Sequence, residues 1–370
     1  MADVLLVSKP IVPPWHDSSK NLVRDLATHM QRHVPIVLSQ PGVTLDMPRA
    51  RVVPVYPQHV AGFAPALADN ARVLRHLLVG PRAGLWHFFF APNPKTSAVG
   101  RVAAKLRRMR TLQTVCSAPL PEVDSKRVLF ADRVIVLSRH TERRFLDAGI
   151  SPERLALIRP CIAALTPIDP AQRPSLRQRL GLPTAGPLVV YAGDLEFGCG
   201  ADLALHAHRA LPSTLCACLV MACRAKTPAA KQRLEELRAR VHAWGLTKSV
   251  IFLGETSFIH DLLAAADLVT LPTDSLYAKM DMPLVLVEAM ALERAVLVGM
   301  GTPAQELAEG DAAVCVATQP DAVAAETRSL LEDDVRRHAV AARGRAAAVQ
   351  HYSAARMAHA YESLYDQLCA

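Results

Sequence analysis

The feature that most constrains this 370-residue chain is a repeated change of period. Short runs rich in Val, Leu and Ile alternate with longer stretches whose apolar residues recur at helical spacing. "VLLVS" (4–8) precedes the amphipathic "SSKNLVRDLATHMQRH" (18–33), then "VPIVLS" (34–39) follows. Later come "LWHFFF" (85–90), "TSAVGRVAAKLRRMR" (96–110), "LQTVCS" (112–117), "RVIVLS" (133–138) and "RHTERRFLDAG" (139–149). After residue 187 the same rhythm resumes, from "PLVVYAG" (187–193) to "AVLVG" (295–299). Strands alternating with helices of ten or more residues form parallel sheets with crossover helices. Between them, "AALTPIDPAQRPSLRQRLGLPTAGP" (163–187) is rich in Pro and punctuated by Gly, as a connector would be. The expectation is α/β: two Rossmann-like, doubly wound domains facing a cleft. Their spans are 1–165 and 187–352, with a linker at 166–186. A terminal amphipathic helix (353–370) is expected to pack back on the first domain.

Composition narrows the function. There is no apolar run long enough to cross a bilayer, and "MADVLLVSKP" lacks the positive region of a signal peptide. The eight cysteines form no CxxC pair and suit a reducing cytoplasm, with no zinc site implied. Residues 1–180 carry 26 Lys+Arg against 12 Asp+Glu, whereas 181–370 carry 16 against 22. The basic half is expected to face something anionic. Nucleic acid is a poor candidate, since aromatics are sparse and no known module occurs. "GDLEFGCG" (193–200) lacks the GxGxxG spacing of a dinucleotide-binding turn.

One region carries a resemblance. "FLGETSFIHDLLAAADLVTLPTDSLYAKMDMPLVLVEAMALERAVLV" (252–298) resembles the signature of GT-B glycosyltransferases of family 4, which are retaining and use nucleotide-sugar donors. It runs strand–Gly, a helix ending in Ala-Ala-Asp, a strand ending in Pro, an acidic loop, then Pro-x-x-x-x-Glu-Ala-Met-Ala. "ADRVIVLSRHTERRFLDAGISPERLALI" (131–158) resembles the end of that family's N-terminal domain. The resemblance implies that Glu288 accepts hydrogen bonds from the donor ribose. A carboxylate opening a helix would serve that purpose and gain from the helix dipole. The backbone of Met282, Pro283, Leu284 and Val285 would lie near the diphosphate. The family's second acidic residue stands eight positions before the Glu and contacts the hexose. Met280 holds that position here, so Asp281 is the candidate for the hexose hydroxyls. Asp281 and Glu288 are thus the catalytic pair this resemblance implies, with no metal and no cofactor beyond the nucleotide sugar.

The chain also departs from that pattern. In the family, Gly-Arg-Leu, three residues and Lys-Gly follow the first strand of the second domain. Here Gly193 matches, Asp194 replaces the Arg and Cys199 the Lys. Two cations are lost from a loop meant to balance a diphosphate, where each such donor is worth a few kcal/mol. Arg224 and Lys226, ending the neighbouring strand, are candidate replacements. A GT-B relative that binds a ligand without turnover is the alternative.

On the acceptor side, Ser18, Ser19 and Lys20 replace the family's glycine-rich loop, either capping the first helix or holding a ligand. His87, Asn93 and Lys95 follow a strand, although His87 in an apolar run is also a natural buried histidine. The helix "GRVAAKLRRMR" (100–110) sets Arg101, Lys105, Arg107, Arg108 and Arg110 around Val102, Leu106 and Met109. It is either a peripheral contact with an anionic membrane face or an ordinary crossover helix with a solvated basic side. The acceptor is a lipid-linked saccharide or another glycoconjugate.

Overall fold

The structure is a computed structural model that describes residues 1–58, 65–225, 227–277 and 279–370. It divides into two compact units. The first comprises Met1–Cys161, Lys279–Met282 and Tyr352–Ala370; the second comprises Ile162–Ala278 and Pro283–His351.

The first unit runs β1 (Asp3–Val7), α1 (Ser18–His29), β2 (Val34–Ser39), β3 (Arg51–Pro54), α2 (Leu67–Val79), β4 (Leu85–Phe90), α3 (Pro94–Arg107), β5 (Thr111–Val115), α4 (Ser125–Val128), β6 (Arg133–Val136), α5 (Arg139–Asp147) and β7 (Leu155–Leu157). Its strands form one parallel sheet in the order β3-β2-β1-β4-β5-β6-β7. The central strands β1, β4 and β5 are buried over nearly their whole length, as strands in a parallel sheet covered by helices are.

The second unit runs α6 (Arg173–Arg179), β8 (Leu188–Tyr191), α7 (Gly200–Ala210), β9 (Cys218–Met221), α8 (Pro228–Ala243), β10 (Val250–Phe252), α9 (Ile259–Ala265), β11 (Leu268–Leu271), α10 (Leu284–Ala291), β12 (Ala295–Gly299), β13 (Val314–Val316), α11 (Pro320–Glu332) and α12 (Asp334–His351). Its parallel strand order is β10-β9-β8-β11-β12-β13. The order reverses between β8 and β11, so the loops following these strands flank a topological switch point.

The stretch expected as a linker, 166–186, groups with the second unit. Its helix α6 is fastened by Arg177, which is 5% exposed. The Arg177 guanidinium donates to Ala265 O, Gly186 O and the Asp267 carboxylate. A guanidinium so fully used belongs to a core, not a tether.

The chain ends in α13 (Ala354–Cys369), which groups with the first unit and packs against α1 and β4. Its Glu362, 2% exposed, accepts hydrogen bonds from the backbone N–H groups of Gln31, Arg32 and His33 just beyond α1. Tyr361 and Tyr365 are fully buried beside it.

Candidate active site

The loop after β8 is built by its own acids. Asp194 Oδ1 accepts from Glu196 N at 2.8 Å and Phe197 N at 3.1 Å, closing an Asx-type turn. Tyr191 Oη donates to Asp194 O at 2.8 Å. A Cβ at Gly193 would lie 2.3 Å from the Tyr191 ring, so only glycine lets the backbone pass. At the end of the loop, Cys199 N donates to Asp274 Oδ1 at 2.9 Å, joining it to the loop after β11. Burial raises the Asp274 pKa, but the Cys199 hydrogen bonds outweigh this and hold it below the usual range. Asp194 therefore shapes the turn where the family pattern has a cation.

Arg224, beyond β9, reaches Glu255 Oε1 at 3.3 Å, so its charge is partly balanced within the protein. Lys226 lies outside the described residues.

Glu288 does not open its helix, contrary to expectation. The apolar run "LVLV" before it is itself the first turn of α10, with Pro283 as N-cap. Pro fits there because it lacks only an N–H that would have no helical partner. Leu284 and Val285, rather than Glu288, hold the first free N–H groups of α10. Glu288 sits one turn later, its side chain 18% exposed. His260 Nε2, from the start of α9, lies 3.5 Å from Glu288 Oε1. Among the described residues His260 is the polar partner the structure gives this carboxylate. The Glu288 carboxylate beside it raises the His260 pKa, against the opposing effect of burial. The sequence offers no signal for this pair, because His260 falls in a generic amphipathic helix.

Asp281 occupies a different environment from the one expected. It is 2% exposed and groups with the first unit. Its carboxylate accepts from Ser138 Oγ and Thr141 Oγ1, both at 2.6 Å, and its N–H donates to Cys116 O. Ser138 also caps α5 by accepting from Thr141 N. At 2% exposure this carboxylate serves protein hydroxyls and is closed to a hexose hydroxyl in this arrangement. Met282 is fully buried.

The acceptor-side candidates separate. Asp17, not Ser18 or Ser19, caps α1, accepting from Ser19 N at 2.9 Å and Ser19 Oγ at 2.6 Å. It also pairs with Lys9 at 2.9 Å. The carboxylate stands where an anionic ligand would be held, which corrects the expectation for Ser18 and Ser19. Lys20 lies over the Trp15 ring. His87 is a correction too: it is fully buried, with Nδ1 2.7 Å from Tyr365 Oη and Nε2 2.8 Å from Thr114 Oγ1. Burial pushes its pKa well down, and a sealed neutral imidazole cannot meet an acceptor. Asn93 caps α3 by accepting from Thr96 N, and Lys95 is exposed on that helix.

Helix α3 docks through Ser97, Gly100, Ala103 and Ala104. A Cβ at Gly100 would meet Phe130 at 2.7 Å. Small residues face inward, so the larger ones face out: Val99 is 46%, Val102 57% and Leu106 70% exposed. Arg101 and Lys105 are exposed among them. Arg107 instead ties α3 to α2 through Leu78 O and Gly80 O. Nearby on α2, Leu67 and Val79 are also exposed. No helix among the described residues is long and apolar enough to cross a membrane.

Residues 172–347 match the family model of glycosyl transferases group 1. A D-inositol 3-phosphate glycosyltransferase of Xylanimonas cellulosilytica is 28% identical over 244 residues, covering 61% of this chain. The match spans about half of that relative, 55% of its length. Among solved structures, HepE of Anabaena in complex with UDP is similar at TM-score 0.76 and 19% identity, over 99% of this chain and 100% of that one. Its complex with UDP-glucose gives 0.75 at 20% identity with the same coverage. Sucrose-phosphate synthase from Thermosynechococcus elongatus gives 0.75 at 19%, over 100% of this chain and 99% of that one. The two doubly wound sheets and the switch-point loops are those of the GT-B fold these solved structures share, and within it residues 172–347 resemble the glycosyl transferases group 1.

Proposed function

We propose that this chain transfers a hexose from a nucleoside-diphosphate donor, held at the carboxyl edge of the second unit, to an acceptor bound by the first. The observation that carries this reading is Glu288. It is a partly exposed carboxylate beyond the carboxyl end of β11, one turn into a helix whose first N–H groups lack helical partners. A carboxylate there accepts two ribose hydroxyls, while the Leu284 and Val285 N–H groups approach the diphosphate. The transfer proceeds with retention and needs no metal or organic cofactor, so EDTA leaves its rate unchanged. UDP-glucose is the first donor to try, since HepE was solved with it. The test is calorimetric titration of UDP-glucose into the wild type and Glu288→Gln, alongside a sugar-transfer assay. Equal affinity and turnover in both proteins would remove Glu288 from the site.

The first unit works at an anionic membrane face in this reading. The outward-facing Val99, Val102 and Leu106, set among Arg101 and Lys105, support it, because aliphatic insertion and headgroup attraction add. The acceptor is then lipid-linked. Cosedimentation with phosphatidylglycerol vesicles is expected, and Val102→Glu with Leu106→Glu should abolish it. One set of facts favours a non-catalytic relative: Asp194 and Cys199 in the donor loop, and Arg224 paired with Glu255. Donor binding without hydrolysis or transfer over a panel of nucleotide sugars would establish that alternative.

A further inference from the structure

The geometry points to His260 as a positioning residue for the sugar-nucleotide donor, one that holds the Glu288 carboxylate and brings a titratable positive charge to a site whose loop has lost its usual cations. The inference rests on the reading of Glu288 as the ribose ligand. His260 stands on α9 with its side chain 45% exposed, and Nε2 is 3.5 Å from Glu288 Oε1. Engaging one carboxylate oxygen restricts rotation of the Glu288 side chain and leaves the other oxygen for a ribose hydroxyl. Among the described residues, two acids act on the imidazole. From α10 there is Glu288, and on α9 itself Asp261. Helix α6 also packs on α9, but its Arg173 and Arg177 are bound to Asp267, past the opposite end of that helix. Strand β8, the other neighbour, carries no charge. Both acids favour the protonated ring, so an imidazolium faces the carboxylate at mildly acidic pH.

A protonated His260 should favour a dianionic donor, and by linkage the bound donor should raise the His260 pKa. UDP-glucose is the suitable probe, because its phosphates do not titrate in the relevant range as the terminal phosphate of UDP does. Its affinity, measured by calorimetry from pH 5.5 to 8.5, is expected to fall roughly three- to tenfold across the His260 titration. That is the change a bound-state rise of about half to one pKa unit requires. His260→Gln, which keeps a donor without the charge, should flatten the profile, and His260→Ala should weaken binding at every pH. Imidazole proton resonances should show the His260 midpoint moving upward when UDP-glucose is added. Superimposable profiles for the wild type and His260→Gln, together with an unmoved midpoint, would overturn the inference while leaving Glu288 in place. If Glu288→Ala binds UDP-glucose as well as the wild type does, the ribose reading fails and this inference with it.

Discussion

Replacing Asp281 by alanine separates two roles that its place in the sequence leaves entangled. A hexose ligand can be removed with little loss of stability, whereas an internal anchor cannot. The structure gives Asp281 two hydrogen bonds of 2.6 Å, from Ser138 Oγ and Thr141 Oγ1, in a setting where the residue is 2% exposed. Hydrogen bonds to a charged group contribute about 1.5–3 kcal/mol each. Alanine removes both, and the Thr141 hydroxyl loses its carboxylate acceptor while Ser138 Oγ keeps only its contact from Thr141 N. Because the two bonds share one carboxylate and are not additive, the loss should be about 3–5 kcal/mol. At about 2–4 °C per kcal/mol for a unit of this size, Tm should fall by roughly 10 °C. Asp281→Asn keeps one good acceptor and should lose about half as much. Differential scanning calorimetry measures both variants, and a transfer assay well below the lowered Tm measures what activity survives. An alanine variant that melts within about 2 °C of the wild type but transfers no sugar would refute the anchoring role and return Asp281 to the hexose.

Acid should weaken the fold through its buried histidines. Burial lowers the His208 pKa from 6.5 to about 4 and pushes His87 well down as well. Below pH 6.5 the unfolded chain binds protons that the folded chain refuses, so stability is complete above that pH and falls as pH drops from 6.5 toward 4. For His208 the loss reaches on the order of 3 kcal/mol; urea unfolding at pH 7.5 and 5 should show a shallower loss in His208→Gln. In the donor loop, Asp194→Asn keeps the acceptor for Glu196 N and Phe197 N but removes a charge, and should tighten UDP-glucose binding about two- to fivefold at low salt. Weaker binding would mean that the Asp194 carboxylate serves the donor directly.

What the sequence discloses follows from which forces act locally. Strands buried on both faces, such as "LWHFFF", announce themselves as apolar runs, and the alternation leads directly to two parallel sheets. The alternation passes over α11, over α12, whose Ala- and Arg-rich sequence has weak apolar contrast, and over β3, a short edge strand with little buried surface. Helix α2 is also hidden, because Leu67 and Val79 are exposed at its two ends and blur its period. Glu288 is singled out by the ordered motif around it. The fate of Asp281 is not legible, because its partners lie 143 and 140 residues earlier in the chain. Ser18 and Ser19 mislead for a smaller reason: the cap is Asp17, one position upstream. His87 in an apolar strand reads equally as a core or a site residue, and only Tyr365 and Thr114 on its two nitrogens decide for the core.

Local side-chain bonds also shape the loop after β8, which holds Asp194 and Cys199 where the resembled pattern has cations. At a strand-to-helix turn, free backbone N–H groups attract an anion, and phosphates usually meet that need. Here the protein supplies the anions: Asp194 takes the N–H groups of Glu196 and Phe197, and Asp274 takes that of Cys199. In the proposed complex, a diphosphate approaching this loop meets these carboxylates. The proposed reading therefore sets the diphosphate against the first N–H groups of α10, with His260 beside Glu288. A loop held by Asp194 and by Asp274 from the neighbouring loop has no need of a phosphate to order it.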